Sequence, residues 1–353
     1  MNTRRNFIKQ TAMAGLAASM LPKVVFPNTP KQPVAEKMIW ANLIHLSYNM
    51  WMDHDPKSVP EEVARKYTSC VDTYLWAHNY KPFLTCDKKL WDEILVKTAD
   101  SGMNMVILDL GDGVKYKSHP EIAVKNAWSV SALKAELKKI RKMGLEPIPK
   151  LNFSAGHKAW LGPYQRMISS KKYYEVCRNL INEVCDIFEK PRLFHIGMDE
   201  EDFKNQVHYQ NVVIRQKDLW WNDLYYLVDL VEKRNARAWV WSDLVWALPE
   251  EYLKKMPKSV LQSNWYYKNN FGKDVMEVKY YDELEKHGFD QVPTGSNHST
   301  NENFGLTVDY CKKNIDPSRL KGFMQTVWRP TLPQCTDRHL SAIQQVKDVI
   351  KTY

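Results

Sequence analysis

The chain lacks several features that would settle its class at once. Its one apolar, small-residue run near the N-terminus, TAMAGLAASML (11–21), has about eleven residues, against about twenty needed to span a bilayer, so no stable membrane anchor is expected. The six cysteines (Cys70, Cys86, Cys177, Cys185, Cys311, Cys335) show neither C-x-x-C nor zinc-like spacing. His45, Asp109, His195 and His298 are ligand types, but no compact motif joins them, so neither a metal nor any other cofactor is expected. No Gly-x-Gly-x-x-Gly follows the first strand candidate, which argues against a dinucleotide-binding open sheet. No low-complexity tract occurs, and at 44% hydrophobic residues the chain can bury a full core. The formal charge is +9, yet Arg4, Arg5, Lys9 and Lys23 all precede the first acidic residue, Glu36. The other lysines are mixed among acids and form no basic face, so nucleic acid is not an expected partner.

What is present begins with TRRNFIK (3–9), the apolar run and then Pro22. A charged start with paired arginines, a short apolar middle and small residues predict a twin-arginine signal peptide and short linker over residues 1–30. The implied partner is the twin-arginine export machinery, and the implied destination is the periplasm or the medium. An oxidising compartment permits disulfides, and Cys70 with Cys86, in one long irregular segment, is the first pair to consider. Cys177 and Cys185, eight apart on one predicted helix, lie about 12 Å apart along its axis and cannot bridge.

Beyond residue 37, short apolar segments alternate with amphipathic ones eight times. The strand candidates are MIWANLIHLSYNM, MNMVILDLGDG, LEPIPKLNFSAG, LFHIGMDE, ARAWVWSDLVW, VLQSNWYY, DQVPTGSN and GFMQTVWRP. Helical periodicity follows each, over 88–101, 130–143, 171–189, 216–234, 249–254, 275–287, 305–313 and 337–352. Eight such units predict a single-domain (β/α)8 TIM barrel over 38–353, with a doubly wound open sheet as the alternative. Ligands of a barrel sit where strands give way to loops. The longest such loop is the first, about 51–87, and it is expected to wall or cover the mouth.

Period-two alternation then selects residues. In LFHIGMDE, Phe194, Ile196 and Met198 share one face, while His195, Gly197 and Asp199 share the other, inward one. Asp199 becomes the uppermost inward residue of strand four. Glu200 turns toward a ligand only if the strand ends there, as the polar EEDFKNQ suggests, and Glu201 and Asp202 read as helix-start or surface charges. Asp109, Lys150, Asn152, Trp241 and Asp243 fall on inward faces of neighbouring strands; Asp109, Lys150, Asp199 and Asp243 would form a polar layer near the mouth, with Asp109 and Lys150 as substrate contacts or, alternatively, a purely structural network. Burying such charges demands pairing, and Lys150 lies on the strand beside Asp199. Trp51, Trp76, Trp160, Trp241, Trp246, Trp265, Tyr266, Tyr267 and Trp328 crowd the same ends. Aromatic faces beside carboxylates suit a sugar, so Trp241, Trp265, Tyr266 and Trp328 are assigned to carbohydrate binding.

These residues resemble those of glycoside hydrolase family 20, the β-N-acetylhexosaminidases. HIGMDE (195–200) resembles that family's strand-four His-x-Gly-Gly-Asp-Glu motif, with Met198 at the second glycine. PIPKLNFSAGH, ending at His157, is similar to the strand-three segment; WVWSD, LQSNW and GFMQTVW resemble the tryptophan motifs of strands five, six and eight. The resemblance implies an exo-acting glycosidase with Glu200 as general acid and Asp199 orienting a 2-acetamido group that attacks the anomeric carbon. A direct scheme with two carboxylates would instead use Asp243 across the sugar. It also implies substrate contacts from Asn152, His157, Trp241, Asp243, Trp265, Tyr266 and Trp328. The sugar-gripping set departs from the family: its first-strand arginine falls near Tyr48, its third-strand acids are Lys150 and Asn152, and Pro330 stands where an acid follows the last tryptophan. No tyrosine occurs in strand seven to bind the acetamide, leaving Tyr266 or Tyr267 for that role. A non-standard sugar is therefore expected. A non-catalytic carbohydrate-binding barrel and a sugar lyase or isomerase are the alternatives.

Overall fold

The computed structural model describes residues 37–54 and 75–353. The twin-arginine segment, Cys70 and most of the first loop lie outside the described residues. So does the Cys70–Cys86 pairing, and Cys177, Cys185, Cys311 and Cys335 are buried free thiols.

Residues 38–353 make one unit built on eight parallel strands: β1 Ile39–His45, β2 Met105–Asp109, β3 Glu146–Lys150, β4 Leu193–Gly197, β5 Arg237–Trp241, β6 Leu261–Ser263, β7 Thr294–Ser296 and β8 Gly322–Thr326. Each strand pairs with its sequence neighbours, and β1 pairs with β8. Parallel bridges Gln262↔Gln291 and Trp265↔Thr294 join β6 to the β7 segment and close the ring. The fold is the (β/α)8 barrel.

The helices are α1 Lys88–Asp100, α2 Val130–Lys142, α3 Lys171–Ile187, α4 Asp218–Glu232, α5 Pro249–Lys255, α6 Met276–Lys286, α7 Asn303–Asn314 and α8 Thr336–Thr352. Several begin on a residue able to satisfy an orphan amide. Asp87 accepts from Leu90 N at 2.8 Å, Ser129 from Ala132 N at 3.1 Å and Ser170 from Tyr173 N at 3.2 Å. In α3, Tyr173, Val176, Cys177, Leu180, Ile181 and Val184 recur at helical spacing and are all buried. That stripe closes on the outward faces of the strands, where Phe194, Ile196 and Met198 belong to the same core.

The inward faces form a separate core that includes Leu43, Ile107, Ile148, Trp239 and Met324. Above it the register aligns polar residues in a row. His45 pairs with Asp109, Asp109 with Lys150, and Lys150 with His195. Asp199 stands four residues further along β4 than the partner of Lys150. This stagger decides what reaches the mouth.

Candidate active site

Strand β4 ends in a sharp change of backbone hand. Gly197, Met198 and Glu200 have φ of 73°, 77° and 54°, and the pairing with β5 slips between His195 and Gly197. A Cβ on Gly197 would lie 1.9 Å from Asn152 Oδ1, so both the positive φ and the close approach require glycine there. The reversal stops the period-two alternation and brings two successive acidic side chains, Asp199 and Glu200, to one cavity.

Both are held from the loop after β3. His157 Nε2 lies 3.3 Å from Asp199 Oδ2 and 3.1 Å from Glu200 Oε2, bridging the pair. Asn152 donates to Asp199 Oδ1 at 2.8 Å, and its own Oδ1 accepts from Ser154 N at 3.0 Å and Met198 N at 3.3 Å. Ser154 Oγ donates to the Asp199 carbonyl. Gly156 passes so close that a Cβ would stand 2.3 Å from the Glu200 carbonyl. From the β5 side, Asp243 Oδ2 accepts the Glu200 amide at 2.9 Å.

The charges follow from these contacts. Burial alone would discharge His157, but the Asp199 and Glu200 carboxylates outweigh it and push the imidazole up to about 10. Burial likewise opposes ionisation of Asp199; His157, then Lys150 and Asn152, overcome it and hold the carboxyl below its ordinary range. Asp243 has no cation beside it. Burial, then Asp199 and Glu200, drive it well above the ordinary range. The surroundings therefore favour the charged forms of His157 and Asp199 and the neutral form of Asp243. The Glu200 side chain is 27% exposed, against 6% for Asp199, so Glu200 presents the carboxyl a ligand meets.

The cavity, about 370 Å³, is walled by Trp51, His78, Trp265, Tyr267 and Trp328. Trp265 stacks on Tyr267 with ring centres 5.0 Å apart, and Trp328 Nε1 donates to Tyr267 Oη at 3.0 Å. Trp51 stacks on His78 at 4.3 Å and meets His157 edge-on at 5.5 Å, so the described part of the first loop does form a wall. His157, Asp199 and Glu200 each offer one ligand atom, all within 4.8 Å of one another, the one such group of three among the described residues. The arrangement sets two carboxyls, bridged by one imidazole, against an aromatic cavity.

Neither a family model nor a curated protein matches the sequence. Solved structures do. The chain superposes on Flavobacterium johnsoniae chitobiase with a TM-score of 0.53 at 16% identity, over 74% of this chain and 48% of that one. For Streptomyces plicatus N-acetyl-β-hexosaminidase the values are 0.55 and 12%, over 88% and 64%. Dispersin B gives 0.51 and 15%, over 78% of this chain and 96% of that one. In fold, this chain resembles the glycoside hydrolase family 20 catalytic barrel. It spans about half the length of the chitobiase and under two thirds of the Streptomyces enzyme.

Within this family-20-like barrel, the residues singled out from sequence separate by height. Asp199, Glu200, His157, Trp265 and Trp328 line the cavity. Asn152 does not; it acts on Asp199. Asp109 and Lys150 are corrected from ligand contacts to a sealed pair beneath the mouth, 2.5 Å apart and 3% and 0% exposed, with His45 3.2 Å from the same carboxylate. Burial raises and Lys150 and His45 more than offset, leaving Asp109 at about 2. The reason is register: Lys150 is level with His195 and Asp109, not with Asp199. Trp241 is buried under Trp328, 5.8 Å ring to ring, and is likewise a support. Tyr266 reaches the cavity lining, but its ring packs edge-on against Phe271 in the outer core, and the neighbouring Tyr267 supplies the hydroxyl within the aromatic wall. Trp160 packs in the outer core and donates to Asn152 O at 2.7 Å. His298 lines the rim, apart from His45, Asp109 and His195, so those four do not gather.

Glu201 overturns its reading as a surface charge. It is 5% exposed, accepts from Ala155 N at 2.9 Å and pairs with the buried Arg215, which also meets Asp223 at 2.8 Å and Phe153 O at 3.1 Å. This network clamps the β4 loop to the β3 loop. Asp202 accepts from Asn205 N at 2.9 Å, beside the short turn Lys204–Gln206, whose N-cap is Phe203. Arg215 was missed because nothing local marks an arginine in a polar loop as buried.

Proposed function

We propose that this chain is an exported glycoside hydrolase, exo-acting and hexosaminidase-like, with a non-standard sugar. The observation that carries the reading is the His157–Asp199–Glu200 cluster beneath an aromatic cavity. Trp265, Tyr267 and Trp328 offer apolar faces to the C–H faces of a sugar ring. Glu200, the more exposed carboxyl, protonates the leaving oxygen. Asp199, kept ionised by His157 and Asn152, orients and polarises a 2-substituent that attacks the anomeric carbon, and Tyr267 Oη is the hydroxyl placed to hold that group. The direct scheme with Asp243 is disfavoured, because that carboxyl is engaged with the Glu200 amide and is absent from the cavity lining. Export through the twin-arginine route rests on the Arg4–Arg5 pair and the apolar run behind it.

The test is turnover of a panel of aryl glycosides with and without a 2-acetamido group. Glu200→Gln is expected to lower kcat by about 10²–10⁴-fold on any substrate whose leaving group needs a proton, and Asp199→Asn to act selectively on the 2-acetamido members. Turnover untouched by Glu200→Gln refutes the acid assignment; sugar binding without turnover across the panel identifies a binding barrel. Replacing Arg4 and Arg5 by lysine should retain the protein in the cytoplasm on cell fractionation, and unchanged export would remove the twin-arginine reading. A second reading, a metal-assisted sugar lyase or isomerase, is favoured only by the three convergent ligand atoms of His157, Asp199 and Glu200. Activity abolished by a chelator and restored by a divalent cation would establish it.

A further inference from the structure

Glu200 stands at φ 54°, a left-handed conformation costly for a residue with a Cβ. Its side chain is bridged by His157 on one side only, and its amide would otherwise be unpaired next to the cavity. The partner of that amide is Asp243 Oδ2, at 2.9 Å, reaching across from the end of β5. The other oxygen, Oδ1, is buried and finds no hydrogen-bond partner among the described residues. Asp243 also precedes a short helix, Leu244–Ala247, but makes no side-chain capping bond to it. A carboxyl at a helix start normally serves its own helix; this one serves the neighbouring loop.

We infer that Asp243 is a positioning residue, which fixes the left-handed backbone of Glu200 and thereby aims the carboxyl of Glu200 into the cavity. Its second oxygen is buried and accepts from none of the described residues, so an amide would fit the same place: carbonyl toward the Glu200 amide, NH2 where Oδ1 stands. The inference rests on the proposed role of Glu200 for its effect on turnover, but its structural half does not. If Asp243 instead touched the sugar or acted as a nucleophile, an amide would fail as badly as a methyl group.

Two measurements decide it. The first reads the Glu200 amide directly, by hydrogen exchange and amide chemical shift in the full chain. Protection should persist in Asp243→Asn and fall at least about tenfold in Asp243→Ala, with the fold intact by circular dichroism. Equal protection in both variants overturns the inference. The second is turnover of the aryl glycosides. Asp243→Ala should lower kcat by roughly 100-fold with KM changed far less, the cost of an acid misplaced by an ångström, and Asp243→Asn should recover most of that loss. Asn as inactive as Ala, or a loss carried by KM, overturns it. If Glu200→Gln leaves turnover intact, the functional reading fails, and the amide measurement still decides whether Asp243 holds that backbone.

Discussion

Gly197→Ala gives the most direct test of how the site is assembled, because one methyl group meets two obstacles. The residue sits at φ 73°, and the added Cβ would lie 1.9 Å from Asn152 Oδ1 and 2.3 Å from its Cγ. Asn152 must therefore move, and it is the donor to Asp199 Oδ1 at 2.8 Å as well as the acceptor for two loop amides. The left-handed backbone costs about 1–2 kcal/mol and the lost bond to an ionised carboxylate about 1.5–3 kcal/mol. The stiffer unfolded chain returns about 0.4–1 kcal/mol, so the net loss works out at about 1.5–4.5 kcal/mol. Urea unfolding of the wild type and the variant measures it. Turnover should fall beyond the stability effect, since Asp199 loses its orienting partner, and Asn152→Ala should reproduce that part without the backbone strain. A stability change within about 0.5 kcal/mol, the size of an ordinary surface substitution, would falsify the argument that β4 ends as it does because of Gly197.

Two further outcomes follow from the buried charges. His157 is raised from 6.5 to about 10, so its ion pairs stabilise the fold in full below pH 6.5 and the benefit is lost as pH rises through about 10. The stability gap between wild type and His157→Gln, from urea unfolding, should shrink steadily across that window; a gap that stays level shows the imidazole is neutral throughout. Lys150→Met should cost about 3–5 kcal/mol by stranding the Asp109 carboxylate, and the paired change Asp109→Leu with Lys150→Met should recover much of it. A Lys150→Met protein of normal stability but raised KM would return Lys150 to the substrate.

The barrel was readable because its evidence is redundant. Each of eight apolar segments is followed by a helical period, and the helices observed differ from those periods by at most two residues at either end, as at Lys171–Ile187 and Asp218–Glu232. Caps such as Asp87 and Ser129 are local and visible in a single sequence. Inward and outward faces were also readable, since alternation needs only the strand itself: Phe194, Ile196 and Met198 lie in the outer core as their spacing required. Height along the barrel was not. It depends on the register between strands, and four residues separate the level of the sealed Asp109–Lys150 pair from that of Asp199 at the cavity.

The acidic run Asp199–Asp202 shows what that distinction does chemically. Four neighbouring acids look alike in sequence, yet only Asp199 and Glu200 share a partner, His157. The reversal at Gly197 sends Asp199 to Asn152 and His157, and leaves Glu200 in part exposed. Glu201 turns back to a buried arginine 14 residues downstream, and Asp202 accepts from the Asn205 amide. Arg215, donating to Glu201, and Asp243, accepting the Glu200 amide, hold two successive residues of one loop. Glu200, held at its own amide and next to a clamped Glu201, has little freedom to rotate away from a bound ligand. In the proposed reaction, that restraint would align the proton of Glu200 with the leaving oxygen.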